Sequence, residues 1–155
     1  MKMGCPLLVV RDMERAKRFY RDLLGMEVTG DFGANVVLSD RLSVQTLGSW
    51  KTFIRDEAEI RFGGNDAELY FEEADLDGFL ERLAAYPDIE YVHPPKEHSW
   101  GQRAVRLYDP ARHIIEVGEE MTAVTRRFFD SGLTPEQVAV RMGVPVKTVR
   151  RWLNE

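Results

Sequence analysis

The sequence has one cysteine, Cys5, among 155 residues. A single cysteine excludes a disulfide within the chain and leaves one thiol whose reactivity depends on its surroundings. No apolar run approaches the roughly 20 residues needed to cross a bilayer, so no membrane partner is expected. The first residues lead into a predicted strand without the apolar segment of a signal peptide, and we therefore expect a cytoplasmic protein.

The chain also lacks an excess of basic charge. Lys and Arg number 21 against 26 Asp and Glu, which gives a net charge of −5. This balance argues against a protein that coats nucleic acid, so nucleic acid is not an expected partner. The length suits one domain with an appendage better than two independent domains.

What the sequence does contain is the same order of elements twice. Each copy has an apolar strand, an aspartate that can cap a helix (Asp12, Asp75), an amphipathic helix and three further strands. The predicted strands are 7–10, 26–28, 36–38 and 42–47 in the first module and 69–71, 89–92, 103–108 and 114–117 in the second. A repeat of this length suits two paired βαβββ modules, at about 1–50 and 66–118, within one domain over 1–118. The predicted fold class is α+β. The connector over 51–66 is predicted to hold a short helix.

Residues 119–155 follow a different pattern and predict a helical extension. Thr134 and Pro135 open a helix, Gly143 allows a tight turn, and a last helix carries Lys147, Arg150 and Arg151. This order resembles a helix-turn-helix. Two interpretations stay open: a helical hairpin that packs on the domain or on a partner subunit, which the acidic chain favours, and a DNA reader.

The internal repeat also indicates where a functional site would lie. The first and last strands of each module can line a shared concave sheet, so their inward residues converge. The four positions are Cys5, Gln45, Glu68 and Glu116. Glu116 interrupts an apolar strand, where a carboxylate is costly unless it is paired, protonated or bound to a metal. Two roles for Glu116 stay open: it binds a metal, or it forms an ion pair with Arg103 or Arg106.

Four further residues are candidates for ligand binding. Tyr70 and Glu72 share a strand face with Glu68, although Tyr70 could equally be a core aromatic. Trp100 and Arg103 lie in or after a loop that starts at two prolines, at the predicted mouth of the cleft. An arginine beside a tryptophan would suit an anionic or aromatic ligand, and the alternative is a surface stack. The histidine at position 93 is predicted at a strand end, outside the site.

Several stretches together resemble the glyoxalase, bleomycin-resistance and extradiol-dioxygenase superfamily, also called vicinal oxygen chelate. They are residues 9–20, 100–103, 108–110 and 113–117, and the resemblance covers residues 1 to about 120. It implies paired modules curled into a half-open barrel and, in catalytic members, a divalent metal such as zinc, nickel, manganese or iron. It also implies a homodimer.

The resemblance further implies metal ligands on the first and last strands, commonly histidine on the first and glutamate on the last. Here Cys5 and Glu68 stand where the histidines are usual, Gln45 stands near another carboxylate position, and Glu116 matches the glutamate. Because both histidines are replaced, the favoured hypothesis is a small-molecule-binding protein of the bleomycin-resistance type with a degenerate metal site.

Two alternatives remain beside that hypothesis. One is a metal-dependent lyase, isomerase or dioxygenase in which Glu116 holds the metal and Glu68 moves a proton as the catalytic pair. The other is a ligand-responsive regulator that uses the C-terminal helices.

Overall fold

The computed structural model describes residues 1–55, 57 and 59–154. These residues form two compact units, residues 1–67 with 108–114 and residues 68–107 with the chain from 115 onward. Each module contributes one open four-stranded sheet. The predicted α+β class and the two βαβββ modules are therefore confirmed.

The sheet of the first module has the order β1-β4-β3-β2. Its strands are β1 (Leu7–Val10), β2 (Val28–Asp31), β3 (Asn35–Leu38) and β4 (Leu42–Thr46). β1 runs parallel to β4, whereas the other neighbouring pairs are antiparallel. The helices are α1 (Met13–Arg18), which continues as a π-helical turn over Phe19–Leu23, and α2 (Leu47–Ile54).

The aspartate that opens α1 behaves as the sequence predicts. The Asp12 side chain accepts a hydrogen bond from the Arg15 backbone N–H at 2.9 Å, which satisfies a donor that the helix leaves free. The buried stripe then runs through Ala16, Phe19 and Tyr20. The side chains of this stripe supply the apolar contact that holds the helix on its sheet.

The sheet of the second module has the order β5-β8-β7-β6. Its strands are β5 (Glu68–Glu73), β6 (Glu90–Glu97), β7 (Arg103–Tyr108) and β8 (Ile114–Glu119), and its crossover helix is α3 (Leu76–Ala85). The Asp75 side chain caps α3 by accepting from the Gly78 backbone N–H at 3.0 Å. The two modules therefore begin their helices in the same way.

Three sequence predictions differ from the structure. β2 begins at Val28 rather than at residue 26, and β6 continues through Pro94 and Pro95, where a loop was predicted. β6 lies at the edge of its sheet, where a proline's missing N–H removes no essential ladder bond. The short helix predicted within 51–66 begins earlier, at Leu47. Residues 56 and 58 of that connector lie outside the described residues.

Three helices follow β8: α4 (Met121–Asp130), α5 (Pro135–Met142) and α6 (Val146–Leu153). The predicted start of α5 is confirmed, because Thr134 and Gln137 form a reciprocal capping box with Pro135 in the first turn. Gly143 ends α5 in the left-handed region with φ 68°. Within the described part of the chain, no helix has the length and apolar character that a membrane crossing requires.

Candidate functional site

One face of the second sheet gathers four of the eight site residues that the sequence singled out. Alternation along β5 places Glu68, Tyr70 and Glu72 on the same side of the strand. On that side Arg106 of β7 contacts both Glu68 and Glu116 of β8. We call this surface the Arg106 face and define it by these five residues.

The guanidinium of Arg106 lies at the centre of this face and contacts side chains on the other three strands of the sheet. Its Nε donates to Glu68 Oε2 at 2.8 Å, and its Nη2 contacts Glu116 Oε2. On the other side its Nη1 lies 3.2 Å from His93 Nε2. A planar group with five N–H donors suits this arrangement, since it can satisfy two carboxylates at once.

The buried carboxylate predicted in β8 is therefore paired. Glu116 is 5% exposed, so its charge is stabilised only if a cation or donors replace the lost water. Arg106 supplies that cation, and Glu116 does not pair with Arg103. Of the alternatives that the sequence left open for Glu116, the structure contains the ion pair with Arg106.

Arg103 lies on the opposite face of β7, since it is three residues from Arg106. Its guanidinium donates to Asp77 Oδ1 at 2.8 Å and to Glu119 Oε1 at 2.8 Å. The hydrogen bonds that Arg103 donates to Asp77 and then to Glu119 raise the pKa of Arg103 above its ordinary value. The structure therefore places this predicted ligand-binding residue in an ion network between α3 and β8, away from the Arg106 face.

Glu119 anchors that network and gives a prediction for stability. Burial alone would raise the pKa of Glu119, but hydrogen bonds from the Arg103 side chain and backbone, with the charge of Arg127, hold it below its usual range. We expect Glu119→Gln to lower the free energy of unfolding at pH 7 by about 1.5–3 kcal/mol. Because the folded-state pKa is depressed, this deficit should shrink as the pH falls below about 4.5.

The measurement is urea unfolding of wild type and variant between pH 7 and pH 3, with Glu120→Gln as the control. Glu120 makes no side-chain cap to α4, so its variant should stay within about 0.5 kcal/mol of wild type. A Glu119→Gln deficit that is unchanged at pH 3 would contradict a charge-based role.

A hydrogen-bonded row of side chains extends the Arg106 face. Trp100 Nε1 donates to Gln102 Oε1 at 3.2 Å, and Gln102 Nε2 donates to the Tyr70 hydroxyl oxygen at 2.8 Å. The Tyr70 hydroxyl in turn donates to Glu72 Oε1 at 3.3 Å. A Cβ added to Gly118 would lie 2.8 Å from Gln102 Nε2, so a side chain at that position in β8 would displace Gln102 from this row. The predicted residues Tyr70, Glu72 and Trp100 are thus connected.

An imidazole packs against the indole at the end of the row. The rings of His98 and Trp100 stack with their centroids 4.3 Å apart. Burial, followed by the nearby charge of Lys96, lowers the pKa of His98 below its ordinary value, so the ring is neutral at pH 7. The stack holds the Trp100 ring in a defined orientation while leaving the tryptophan 37% exposed.

The other two predicted site residues belong to the first unit. Cys5 Sγ lies 3.3 Å from Ser43 Oγ, and the buried Gln45 donates through Nε2 to Ser49 Oγ at 3.0 Å. In the β1–β4 register Leu7 is opposite Ser43, so Cys5 shares the sheet face of Ser43 and Gln45.

The predicted donor set does not fit a divalent metal. Across 1–55, 57 and 59–154, no group of three or more His, Cys, Asp or Glu side chains is arranged to hold an ion. The Arg106 guanidinium already pairs with both Glu68 and Glu116, so a metal cation there would have to displace it. A thiol and an amide beside hard carboxylate oxygens are also a poorly matched set.

Sequence reasoning considered Arg106 only as a partner for Glu116 and left His93 outside the site. A signal for Arg106 exists, since it interrupts the apolar run Ala104–Leu107 as Glu116 interrupts its own strand. His93 carries no such signal, because its role follows only from the pairing of β6 beside β7.

Comparison with known proteins agrees with this fold. A protein of unknown function from Agrobacterium tumefaciens strain C58 is 38% identical, with TM-score 0.70, over 77% of this chain and 94% of its own. Lactoylglutathione lyase from Agrobacterium tumefaciens is 22% identical, with TM-score 0.58, over 78% and 96% of the two chains.

Fosfomycin resistance protein FosX from Mesorhizobium loti is 18% identical, with TM-score 0.54, over 82% of this chain and 97% of its own. No curated protein matches the chain in sequence. The glyoxalase-like domain family matches residues 3–122. With this match and the two βαβββ modules, the chain belongs to the glyoxalase-like domain family.

Proposed function

We propose that the protein binds a small molecule on the Arg106 face and holds no divalent metal there. The observation that carries this proposal is the guanidinium of Arg106, which contacts both Glu68 and Glu116. An internal cation in this position ties two of the carboxylates into a hydrogen-bonded polar floor. Such a floor can orient a ligand by hydrogen bonds without supplying a Lewis acid.

The charges of the Arg106 face select the class of ligand. Glu68, Glu72 and Glu116 outnumber the single cation Arg106, so the face is negative overall. The face also presents two partly exposed rings, Tyr70 at 48% and, at the end of its row, Trp100. Acidic groups beside aromatic rings attract organic cations through Coulomb and cation–π interactions, so the ligand class is a planar or aromatic cation.

The glyoxalase-like family accommodates this function. The relatives above include one titled as a lyase and one titled as a resistance protein, so one fold supports different uses of its sheets. In this chain Cys5 and Glu68 occupy the positions where the superfamily resemblance implies histidine. This replacement supports binding without the metal chemistry of catalytic members.

The test is a titration of intrinsic tryptophan fluorescence with three probes of similar size. Benzyltrimethylammonium should bind, whereas benzyl alcohol and benzenesulfonate should bind more weakly or not at all, because only the first carries a positive charge. Trp100→Phe should remove most of the fluorescence response. Equal binding of all three probes, or preference for the sulfonate, would contradict the proposal.

Adjacent glutamates of β5 provide a matched pair of variants. Glu72 belongs to the Arg106 face, whereas Glu73 points to the other side and pairs with Arg82 at 3.2 Å. We expect Glu72→Gln to weaken binding of benzyltrimethylammonium about 2–5-fold, corresponding to roughly 0.5–1 kcal/mol. Glu73→Gln should leave the affinity unchanged. Equal effects of both variants would indicate long-range charge rather than a site.

A further inference from the structure

The three C-terminal helices are an addition to the family domain. The family match ends at residue 122, and the Agrobacterium protein of unknown function aligns over 94% of its own length while covering 77% of this chain. The helices have a core of their own, made of Val124, Val138, Ala139, Met142, Val149 and Leu153. An appended unit with its own core indicates a function separate from the sheets.

α5 and α6 have the local structure of a helix-turn-helix. α5 ends at Met142, Gly143 turns the chain with φ 68°, and α6 starts three residues later at Val146. Buried Ala139 in α5 and buried Val149 in α6 belong to the same core. A short turn between two helices that share one core with a third is the framework of this DNA-binding motif.

The charge of the chain is divided between the family domain and this addition. Residues 1–120 contain 15 Lys and Arg against 23 Asp and Glu, whereas residues 121–155 contain six against three. The net charge is therefore −8 for the domain and +3 for the addition. The expectation against nucleic acid rested on the whole-chain charge, which conceals this division.

Basic residues of the addition fall into two groups with different surroundings. Arg126, Arg127 and Arg141 serve packing. Arg126 donates to the Leu153 carbonyl at 3.4 Å, Arg127 donates to the Gly101 carbonyl at 2.6 Å, and Arg141 pairs with Glu97 at 3.1 Å. The second group lies on α6, where its members are solvent exposed.

Lys147, Arg150 and Arg151 form this second group. Arg150 pairs with Glu136 at 2.7 Å, while Lys147 and Arg151 have no ion-pair partner among the residues that the structure describes. Two of the three basic side chains of α6, Lys147 and Arg151, are therefore uncommitted, and Arg150 is held by one exposed ion pair. Phosphate groups are the complementary ligand for such a surface.

We propose that α5 and α6 bind duplex DNA, with α6 entering the major groove and its basic residues contacting the phosphates. A helix of this size fits that groove, and the N-terminal residues of the second helix are those that reach base edges in a helix-turn-helix. DNA binding by α6 does not depend on ligand binding by the Arg106 face.

The experiment measures fluorescence anisotropy of a labelled 24-base-pair duplex of mixed sequence with the full chain. Lys147, Arg151 and Arg150, which exchanges Glu136 for a phosphate, neutralise three phosphates and give a slope of about −2.7 for log K against log salt. Raising the salt from 50 to 200 mM should therefore weaken binding about 40-fold. In Lys147→Ala/Arg151→Ala the slope should become shallower, at about −0.9, because two phosphate contacts are lost.

Two further variants test whether DNA binding depends on the residues of α6 or only on the overall charge of the chain. Arg18→Ala/Lys51→Ala removes the same charge from exposed positions in the first unit and should bind DNA like wild type. Glu136→Gln releases Arg150 from its ion pair and removes an acidic group, so it should tighten DNA binding several-fold. Circular dichroism confirms that each variant is folded.

Three results would overturn the proposal. The first is no anisotropy change with wild type at 50 mM salt, and the second is the same loss of binding in both double variants. The third is an oligomer, seen by light scattering, that Lys147→Ala/Arg151→Ala dissociates while DNA remains unbound, which would make α6 a protein interface.

Discussion

Replacing Arg106 by methionine should lower the free energy of unfolding by about 3–5 kcal/mol, because Glu116 would remain buried with no partner for its charge. Glu116 is only 5% exposed, and its ion pair with Arg106 is the interaction that compensates its burial. Methionine fills a similar volume, so the loss should come from charge rather than from a cavity.

Urea unfolding measures this loss of stability, and two comparison variants show whether the unpaired Glu116 charge causes it. Arg82→Met removes an exposed pair with Glu73 and should cost no more than about 1 kcal/mol. Adding Glu116→Gln to Arg106→Met should recover most of the lost stability, since the uncompensated charge is then gone. A double variant as unstable as Arg106→Met alone would show that Glu116 is not the cause.

The same variant tests whether the guanidinium stands in for a metal. Without it, the three groups that now contact Arg106 (Glu68, Glu116 and His93) would lose their cationic partner, and the flexible methionine side chain can move aside for a metal ion. We expect zinc or manganese to raise the melting temperature of Arg106→Met but not that of wild type. Stabilisation of wild type by either ion would contradict the metal-free proposal.

Replacing Asp109 by alanine should have the largest effect in the first unit, about 3–4 kcal/mol. The Asp109 carboxylate is buried and accepts from the Tyr20 hydroxyl at 2.8 Å, the Ala111 N–H at 2.9 Å and the His113 N–H at 2.8 Å. Burial, then the charge of Asp109, raises the pKa of Tyr20, so this hydroxyl stays protonated and donates. Alanine would leave several buried donors without an acceptor.

Thermal unfolding should show a fall in melting temperature on the order of 10 °C for Asp109→Ala. Asp109→Asn keeps one carbonyl acceptor and should lose about half as much stability. Tyr20→Phe removes only the hydroxyl and should lower the free energy of unfolding by about 1 kcal/mol. It is the control for the loss of a single hydrogen bond. If Asp109→Ala matched Tyr20→Phe, the turn after β7 would not depend on the carboxylate.

Local sequence signals predicted the framework of this protein well. Asp12, Asp75 and Thr134 each cap the helix that follows them, because a side-chain oxygen one residue before a helix meets the free N–H groups of its first turn. These interactions span three residues, so they can be recognised without knowledge of the fold. β6 was predicted too short because its prolines are acceptable only at a sheet edge, which is a property of strand order.

The candidate site was predicted less completely. Alternation identified Glu68, Tyr70 and Glu72 as one side of β5, and the interrupted apolar strand identified Glu116. Alternation also separates Arg103 from Arg106, yet Arg103 was chosen because it follows Trp100 in the chain. In the structure it serves the network of Asp77 and Glu119 on the opposite face.

By itself the sequence determined the two modules, their helix caps and the helix-turn-helix pattern, since each depends on residues within a few positions of one another. Only the tertiary structure decided which cation meets the buried carboxylates. Arg106 and Glu68 are 38 residues apart in the chain and become neighbours when β8 lies between β5 and β7. That strand order makes Glu116 part of an ion pair, because the long arginine side chain can reach both neighbouring acids from the middle of the sheet.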